Sequence, residues 1–92
     1  MSRIIDKPLK VGKTDSYSLT VSTQWLGGET ILSATATSDN AFITVGAVNI
    51  VDNVIYVYLT GVAAKNRVEV HFNYATATRT DCDYILVNVA EC

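Results

Sequence analysis

The sequence contains few of the residues on which catalytic sites are built. It has one histidine in 92 residues, and Asp, Glu, Lys and Arg together make up 17% of the chain. A Ser-His-Asp or Cys-His arrangement would have to use that histidine, His71. His71 alternates with polar residues on the outward side of a predicted strand, which is typical of an ordinary exposed histidine. We therefore expect a protein that is not an enzyme, with no catalytic residues and no cofactor.

The sequence also has few candidate ligands for a metal site and few cysteines for disulfides. Cys82 and Cys92 are too few for a disulfide framework, and they lack the spacing of a structural zinc site. Asp81 and Asp83 form a D-x-D pair, but Ca²⁺ takes about six to eight oxygen ligands, carried by a loop. We interpret the two aspartates as polar residues at the start of an edge strand, where charge discourages aggregation. We expect no metal and two reduced thiols.

Charge and hydropathy exclude two further classes of partner. The net charge is −2, and the basic residues are scattered apart from a mixed-charge stretch in residues 1–14. Nucleic-acid binding needs clustered Lys and Arg, so we expect no such partner. No apolar run approaches the roughly 20 residues of a membrane span, and the N-terminus lacks the apolar stretch of a secretory signal. We expect no membrane partner, and synthesis in the cytoplasm.

What the sequence has is alternation of apolar and polar residues. The clearest case is 67–74, where Val68, Val70, Phe72 and Tyr74 are predicted to point inward. Residues 16–22, 54–59 and 84–89 alternate in the same way, as expected of strands with one buried face. We count about seven short strands. The prediction is an all-β, Ig-like antiparallel β-sandwich, with a closed barrel as the structural alternative.

Turn residues divide these strands into one domain. Gly27-Gly28, Ser38-Asp39-Asn40 and Asp52-Asn53 are turn signals, and Gly46 predicts a bulge or a break. Pro8 has no N–H to donate, so a central strand around it is not expected. We predict an N-terminal arm or edge segment over residues 1–14 and a single Ig-like sandwich domain over residues 15–92.

Aromatic residues give the candidate binding surface. Tyr56 and Tyr58 lie two residues apart on the outward side of a predicted strand, a stripe typical of protein interfaces and sugar-binding platforms. The alternative is that the N-terminal segment or the second sheet covers them. Trp25 is predicted to lie in the core, with a place at an interface as the alternative.

Two family resemblances rest on particular segments. Four segments of the chain resemble small Ig-like structural proteins of tailed bacteriophages, the fiber-tail adaptor family. They are Tyr17 to Val21, Trp25-Leu26-Gly27-Gly28-Glu29-Thr30-Ile31, Val57 to Val62, and Thr76-Ala77-Thr78-Arg79-Thr80-Asp81. In that family the strand after the segment that corresponds to Trp25–Ile31 usually carries a second large aromatic residue, where this chain has Ala34 and Ala36. A weaker resemblance, over residues 33–45, is to bacterial Ig-like domains.

The phage resemblance implies a virion structural protein made in the host cytoplasm. It implies protein–protein attachment to other virion proteins (tail fiber, baseplate or capsid) and a homo-oligomer, and it carries over no catalytic residues. The competing hypothesis is a carbohydrate-binding or adhesion Ig-like module that uses Tyr56, Tyr58 and Trp25 as a stacking platform.

Overall fold

The structure is a computed structural model that describes residues 2–4 and 7–92. Most of these residues lie in strands, because the alternating pattern gives each strand one face to bury. The elements are β1 Ser2–Ile4, β2 Leu9–Lys10, β3 Thr14–Thr20, α1 Thr23–Leu26, β4 Ser33–Ser38, β5 Ile43–Val51, β6 Val54–Gly61, β7 Lys65–Ala75 and β8 Thr80–Ala90.

The strands form two sheets that pack face to face. One sheet has the order β3-β6-β5, and the other has the order β1-β8-β7-β4, with β2 also paired to β8. β1 and β2 run parallel to successive parts of β8 and form one interrupted edge, while the other pairings are antiparallel. Counting that edge once gives seven strands. The all-β, Ig-like sandwich prediction is confirmed, with two separate sheets rather than one closed sheet.

The core is built from every second residue of the long strands. Phe72, Ile55, Val57, Leu59 and Ile85 are fully buried. Their polar neighbours in the sequence point away from the opposite sheet, as a period of two requires. The inward face predicted for β7 is confirmed, since Val68, Val70, Phe72 and Tyr74 are all buried.

The N-terminal segment contributes to this core. Leu9 is 1% exposed, and the Tyr17 hydroxyl donates a hydrogen bond to the Lys7 carbonyl oxygen at 2.9 Å. At Gly61 a Cβ atom would lie 2.5 Å from the Lys10 carbonyl oxygen, so only glycine allows β2 to approach β6 this closely. Residues 1, 5 and 6 of the predicted segment lie outside the described residues.

The placement of β8 corrects one interpretation. Asp81 and Asp83 were expected at the start of an edge strand, but β8 lies between β7 and the β1/β2 edge. The interpretation was wrong for the strand as a whole, because β1 pairs with residues 84–86 of β8 and β2 pairs with residues 89 and 90. Asp81 and Asp83 themselves precede the first of these pairings. Such pairings leave almost no alternation to detect, since β2 has only two residues.

Local features of the strands follow the turn signals with some differences. β5 runs unbroken through Gly46 with a bulge between Val45 and Val48, so the bulge reading is confirmed. Asp52, at φ 54°, starts the two-residue hairpin between β5 and β6. The single-turn helix α1 was not predicted, because four residues are too few to show a helical period.

Candidate functional site

Tyr56 and Tyr58 lie on the outer side of the β3-β6-β5 sheet. Their neighbours on β6, Ile55, Val57 and Leu59, are buried, so the two rings must point away from the core. Tyr56 is 39% exposed and Tyr58 is 52% exposed. Neither the opposite sheet nor the described part of the N-terminal segment therefore covers them.

The residues opposite both rings on β3, and opposite Tyr56 on β5, are polar and uncharged. Ser18 lies opposite Tyr56 and Ser16 opposite Tyr58 on β3, while Asn49 lies opposite Tyr56 on β5. Directly opposite residues of an antiparallel pair share one face of the sheet. We call the surface formed by Ser16, Ser18, Asn49, Tyr56 and Tyr58 the tyrosine face.

The bulge in β5 shapes this face beside Tyr58. Two residues, Gly46 and Ala47, stand opposite Tyr58, which is the two-against-one arrangement of a bulge. A Cβ atom at Gly46 would lie 3.1 Å from the Tyr58 carbonyl oxygen and 3.5 Å from its Cβ. The glycine therefore lets β5 pass close to the backbone of Tyr58.

Trp25 does not join the two tyrosines. It lies on α1 and packs its ring edge-on against Tyr74 of β7, in the other sheet, with ring centroids 5.4 Å apart. Trp25 is only partly buried against the core. Burial raises the pKa of Tyr74 to about 12, with Asp81, Asp83 and Cys82 adding to the shift, so this phenol stays protonated at neutral pH.

A second cluster joins the segment after α1 to the β7–β8 turn. The Thr76 hydroxyl donates to Glu29 Oε1 at 2.6 Å, and the Thr78 hydroxyl donates to the same carboxylate at 2.8 and 2.9 Å. Arg79 Nη1 donates to the Trp25 carbonyl oxygen. We call this cluster of Trp25, Glu29, Thr76, Thr78 and Arg79 the end clasp.

The end clasp is fully hydrogen-bonded around the buried Thr76. Its hydroxyl donates to Glu29 and accepts a hydrogen bond from the Arg79 backbone N–H at 3.1 Å. The hydroxyls of Thr76 and Thr78 and the nearby positive charge of Arg79 hold the pKa of Glu29 below its ordinary value. The residues of the clasp come from two segments already noted in the sequence, 25–31 and 76–81. No sequence pattern indicated that the two segments meet, since Glu29 and Thr76 are 47 positions apart.

Of the remaining candidate residues, His71 lies on the outside of the second sheet, whereas Asp81 and Asp83 lie opposite Tyr74 and Phe72 on its inward side. His71 Nε2 is 2.8 Å from Glu69 Oε1, and its ring centroid is 5.3 Å from that of Tyr84. Asp81 accepts the backbone N–H of Cys82 at 2.8 Å, and Asp83 accepts that of Tyr84 at 2.8 Å. Across residues 2–4 and 7–92, no group of three His, Cys, Asp or Glu is placed to hold a metal ion.

The arrangement favours binding over bond chemistry. Two exposed rings with serine and asparagine beside them offer flat apolar surface and neutral hydrogen-bonding groups. Such groups lose their water at a lower cost than charged ones. In the described part of the chain, no helix is long and apolar enough to cross a membrane.

Comparisons with known proteins show the fold and nothing finer. No family model matches the sequence, and a search of curated proteins gives no match. Among solved structures, endo-fucoidan hydrolase MfFcnA4 from glycoside hydrolase family 107 and a variant of it match with a TM-score of 0.64, at 18% and 19% sequence identity. Each match covers 100% of this chain and 13% of the hydrolase chain. The chain thus resembles a small β-sandwich portion of a much longer enzyme.

Proposed function

We propose that the chain is a non-enzymatic structural protein of a tailed bacteriophage virion, an Ig-like adaptor or decoration module. It attaches to other virion proteins at the tail fiber, the baseplate or the capsid, in several copies, after synthesis in the host cytoplasm. The observation that carries the proposal is the end clasp. The hydrogen bond between Thr76 and Glu29 brings together segments 25–31 and 76–81, on which the resemblance to phage adaptor proteins largely rests.

The tyrosine face supplies an attachment surface of suitable chemistry. Tyrosine is enriched at protein interfaces because its ring buries a large apolar area while its hydroxyl keeps a hydrogen bond. Tyr56 and Tyr58 are presented on a strand whose other side is locked in the core. A rigid, uncharged surface of this kind supports contacts whose strength grows with copy number.

The location of the protein in particles tests the proposal. Virions purified from the phage that encodes the chain are analysed by quantitative mass spectrometry and by immunogold electron microscopy. We expect a fixed copy number per particle, with gold confined to one site, which distinguishes tail from capsid. Absence of the chain from purified, infectious particles would overturn the proposal.

A pair of variants tests the attachment surface. Tyr58→Ser alters the tyrosine face, and His71→Ser makes a comparable change on the outside of the other sheet. We expect Tyr58→Ser to reduce incorporation into particles and His71→Ser to leave it unchanged, with both proteins folded by circular dichroism. Equal incorporation of both variants would assign attachment to another surface.

A carbohydrate-binding or adhesion module is the second candidate function. It is favoured by the exposure of Tyr56 and Tyr58 next to Ser16, Ser18 and Asn49, since sugar rings stack on aromatic side chains and bind neutral hydrogen-bonding groups. A glycan array tests it. Fucoidan is included as a soluble probe because the structural neighbours are endo-fucoidan hydrolases. Binding that is lost in Tyr56→Ala and kept in His71→Ala would support this candidate, and an empty array would exclude it.

A further inference from the structure

Within the described residues, the two sheets have four outer edges. They are the β1/β2 edge beside β8, the β4 edge beside β7, and the β3 and β5 edges on either side of β6. An edge strand presents a row of N–H and C=O groups that no neighbouring strand satisfies, and such a row is a template for another strand. The four edges differ in how far they block this pairing.

Three of the edges carry features that hinder strand addition. On the β3 edge, the charged residue Asp15 lies within the strand, and the Ser16 carbonyl oxygen accepts a hydrogen bond from Lys7 Nζ at 2.8 Å. The β1/β2 edge is interrupted at Lys7 and Pro8, and Pro8 has no N–H to offer. The β5 edge is bent by the bulge between Val45 and Val48, which breaks the even spacing of its free backbone groups. Natural proteins use charged residues, prolines and bulges of this kind to protect edges.

The fourth edge, β4, has none of these features. Its register with β7 runs without a shift from Ser33 opposite Ala75 to Ser38 opposite Val70. Its sequence, S-A-T-A-T-S, contains no charged residue, proline or glycine. Among the described residues, β7 is the only strand paired with it. β4 is therefore a regular strand whose second row of backbone groups is open to a partner.

We propose that β4 pairs antiparallel with β4 of a second copy of this chain, around a two-fold axis near Ala36. A contact on a two-fold axis must be complementary to itself, and β4 meets this condition. With the axis at Ala36, Thr35 lies opposite Thr37 of the second copy on the outer face. Ala34 lies opposite Ser38 of the second copy on the inner face.

The residues matched in this way fit one another. Thr–Thr pairs across antiparallel strands are favourable, and like charges directly opposite are unfavourable. Every position from Ser33 to Ser38 offers a small uncharged side chain, so neither repulsion nor bulk opposes the approach of the second strand. A strand from an unrelated protein would not require this self-complementarity, which is why a second copy is the favoured occupant.

The pairing goes beyond the proposed virion role and does not depend on it. β4 belongs to one sheet and the tyrosine face to the other. The dimer would therefore carry two tyrosine faces, each available to a further partner.

Light scattering of the full chain over a concentration series, with reductant to prevent Cys92 disulfides, tests the inference. We expect the wild type to shift from monomer to dimer mass as concentration rises. Thr35→Lys, an exposed position on β4, places a positive charge in each strand beside the axis and should hold the protein at monomer mass. Thr44→Lys makes the same change at an exposed position on the β5 edge and should still dimerise.

Hydrogen exchange of the β4 amides gives a second measurement. We expect residues 33–38 to exchange more slowly at high than at low wild-type concentration, and this difference should vanish in Thr35→Lys. Thr37→Glu replaces Thr35→Lys if the melting midpoint shows that the latter is unfolded. A wild type that is monomeric at every concentration, an assembly larger than a dimer, or equal loss of the dimer in Thr35→Lys and Thr44→Lys would overturn the inference.

Discussion

The outer faces of the two sheets follow the same alternation and differ in chemistry. The strands of the β3-β6-β5 sheet contain one charged side chain, Asp15, and their outer side is the tyrosine face. β7 in the other sheet presents Glu69 and His71 outward, joined at 2.8 Å. One face is uncharged, and the other carries a glutamate whose carboxylate is hydrogen-bonded to a histidine ring.

This difference teaches that periodicity and residue type answer separate questions. The period of two determines which side chains leave the core. The identity of those side chains determines what the surface can do, because a charged group gives up its water at a far higher cost than a hydroxyl or an amide. Of the two outer faces, the tyrosine face is therefore the one suited to close contact with a partner.

We expect the largest effect from a substitution in the core, because both sheets pack against it and both outer faces depend on it. Phe72 is fully buried between the sheets, and Phe72→Ala should lower the free energy of unfolding by about 3–5 kcal/mol because it leaves a cavity. Urea unfolding followed by circular dichroism measures the change. An unchanged midpoint would mean that the two faces do not share this core.

A smaller, pH-dependent effect is expected at the end clasp, which joins α1 and the segment after it to the β7–β8 turn. The pKa of Glu29 in the folded protein lies below its ordinary value of 4.5 because Thr76 and Thr78 donate to the carboxylate. The ionised carboxylate therefore stabilises the fold fully above about pH 4.5, and this contribution is lost as pH falls through the lowered pKa. We expect Glu29→Gln to melt at a lower temperature than wild type at pH 7.

Melting curves across the acid range measure this effect. The gap in melting temperature between wild type and Glu29→Gln should close as pH falls below 4.5. Thr78→Val, which removes one donor, should give a smaller gap at pH 7. A gap that stays constant down to the lowest pH at which the protein folds would contradict the assignment.

The smallest effect is expected on the tyrosine face itself. Tyr58 is 52% exposed, so Tyr58→Ser should change the free energy of unfolding by no more than about 0.5 kcal/mol. Glu69→Gln on the outer face of the other sheet should have an effect of similar size, since a contact between two exposed polar side chains contributes little. Chemical denaturation of both variants tests the comparison. If Tyr58→Ser lowers the free energy of unfolding by well over about 0.5 kcal/mol, the Tyr58 ring supports the fold as well as the surface.

Much of the fold was predictable because its signals are local. The inward set on β7, the Asp52-Asn53 hairpin and the position of the β5 bulge each depend on neighbouring residues in the chain. Local rules did not extend to α1 or to the parallel pairing of Leu9–Lys10 with β8, because each is too short to show a period.

The candidate site was only partly predictable for a related reason. Alternation with Ile55, Val57 and Leu59 was enough to place Tyr56 and Tyr58 on one outward face. Trp25 was grouped with them as a candidate platform residue, but the structure packs it against Tyr74 in the other sheet. Aromatic character is visible in a sequence, whereas the sheet on which a ring lies depends on the path of the chain.

By itself the sequence determined the sandwich class, the inward and outward faces of the long strands, and the shortage of charged and catalytic side chains. Each of these depends on residue type and on a spacing of two along one strand. The tertiary structure decided that β1 and β2 pair with β8, that β4 is left as a regular open edge, and that Glu29 meets Thr76 and Thr78. These are contacts between segments far apart in the chain, and the packing of the two sheets determines which of those segments meet.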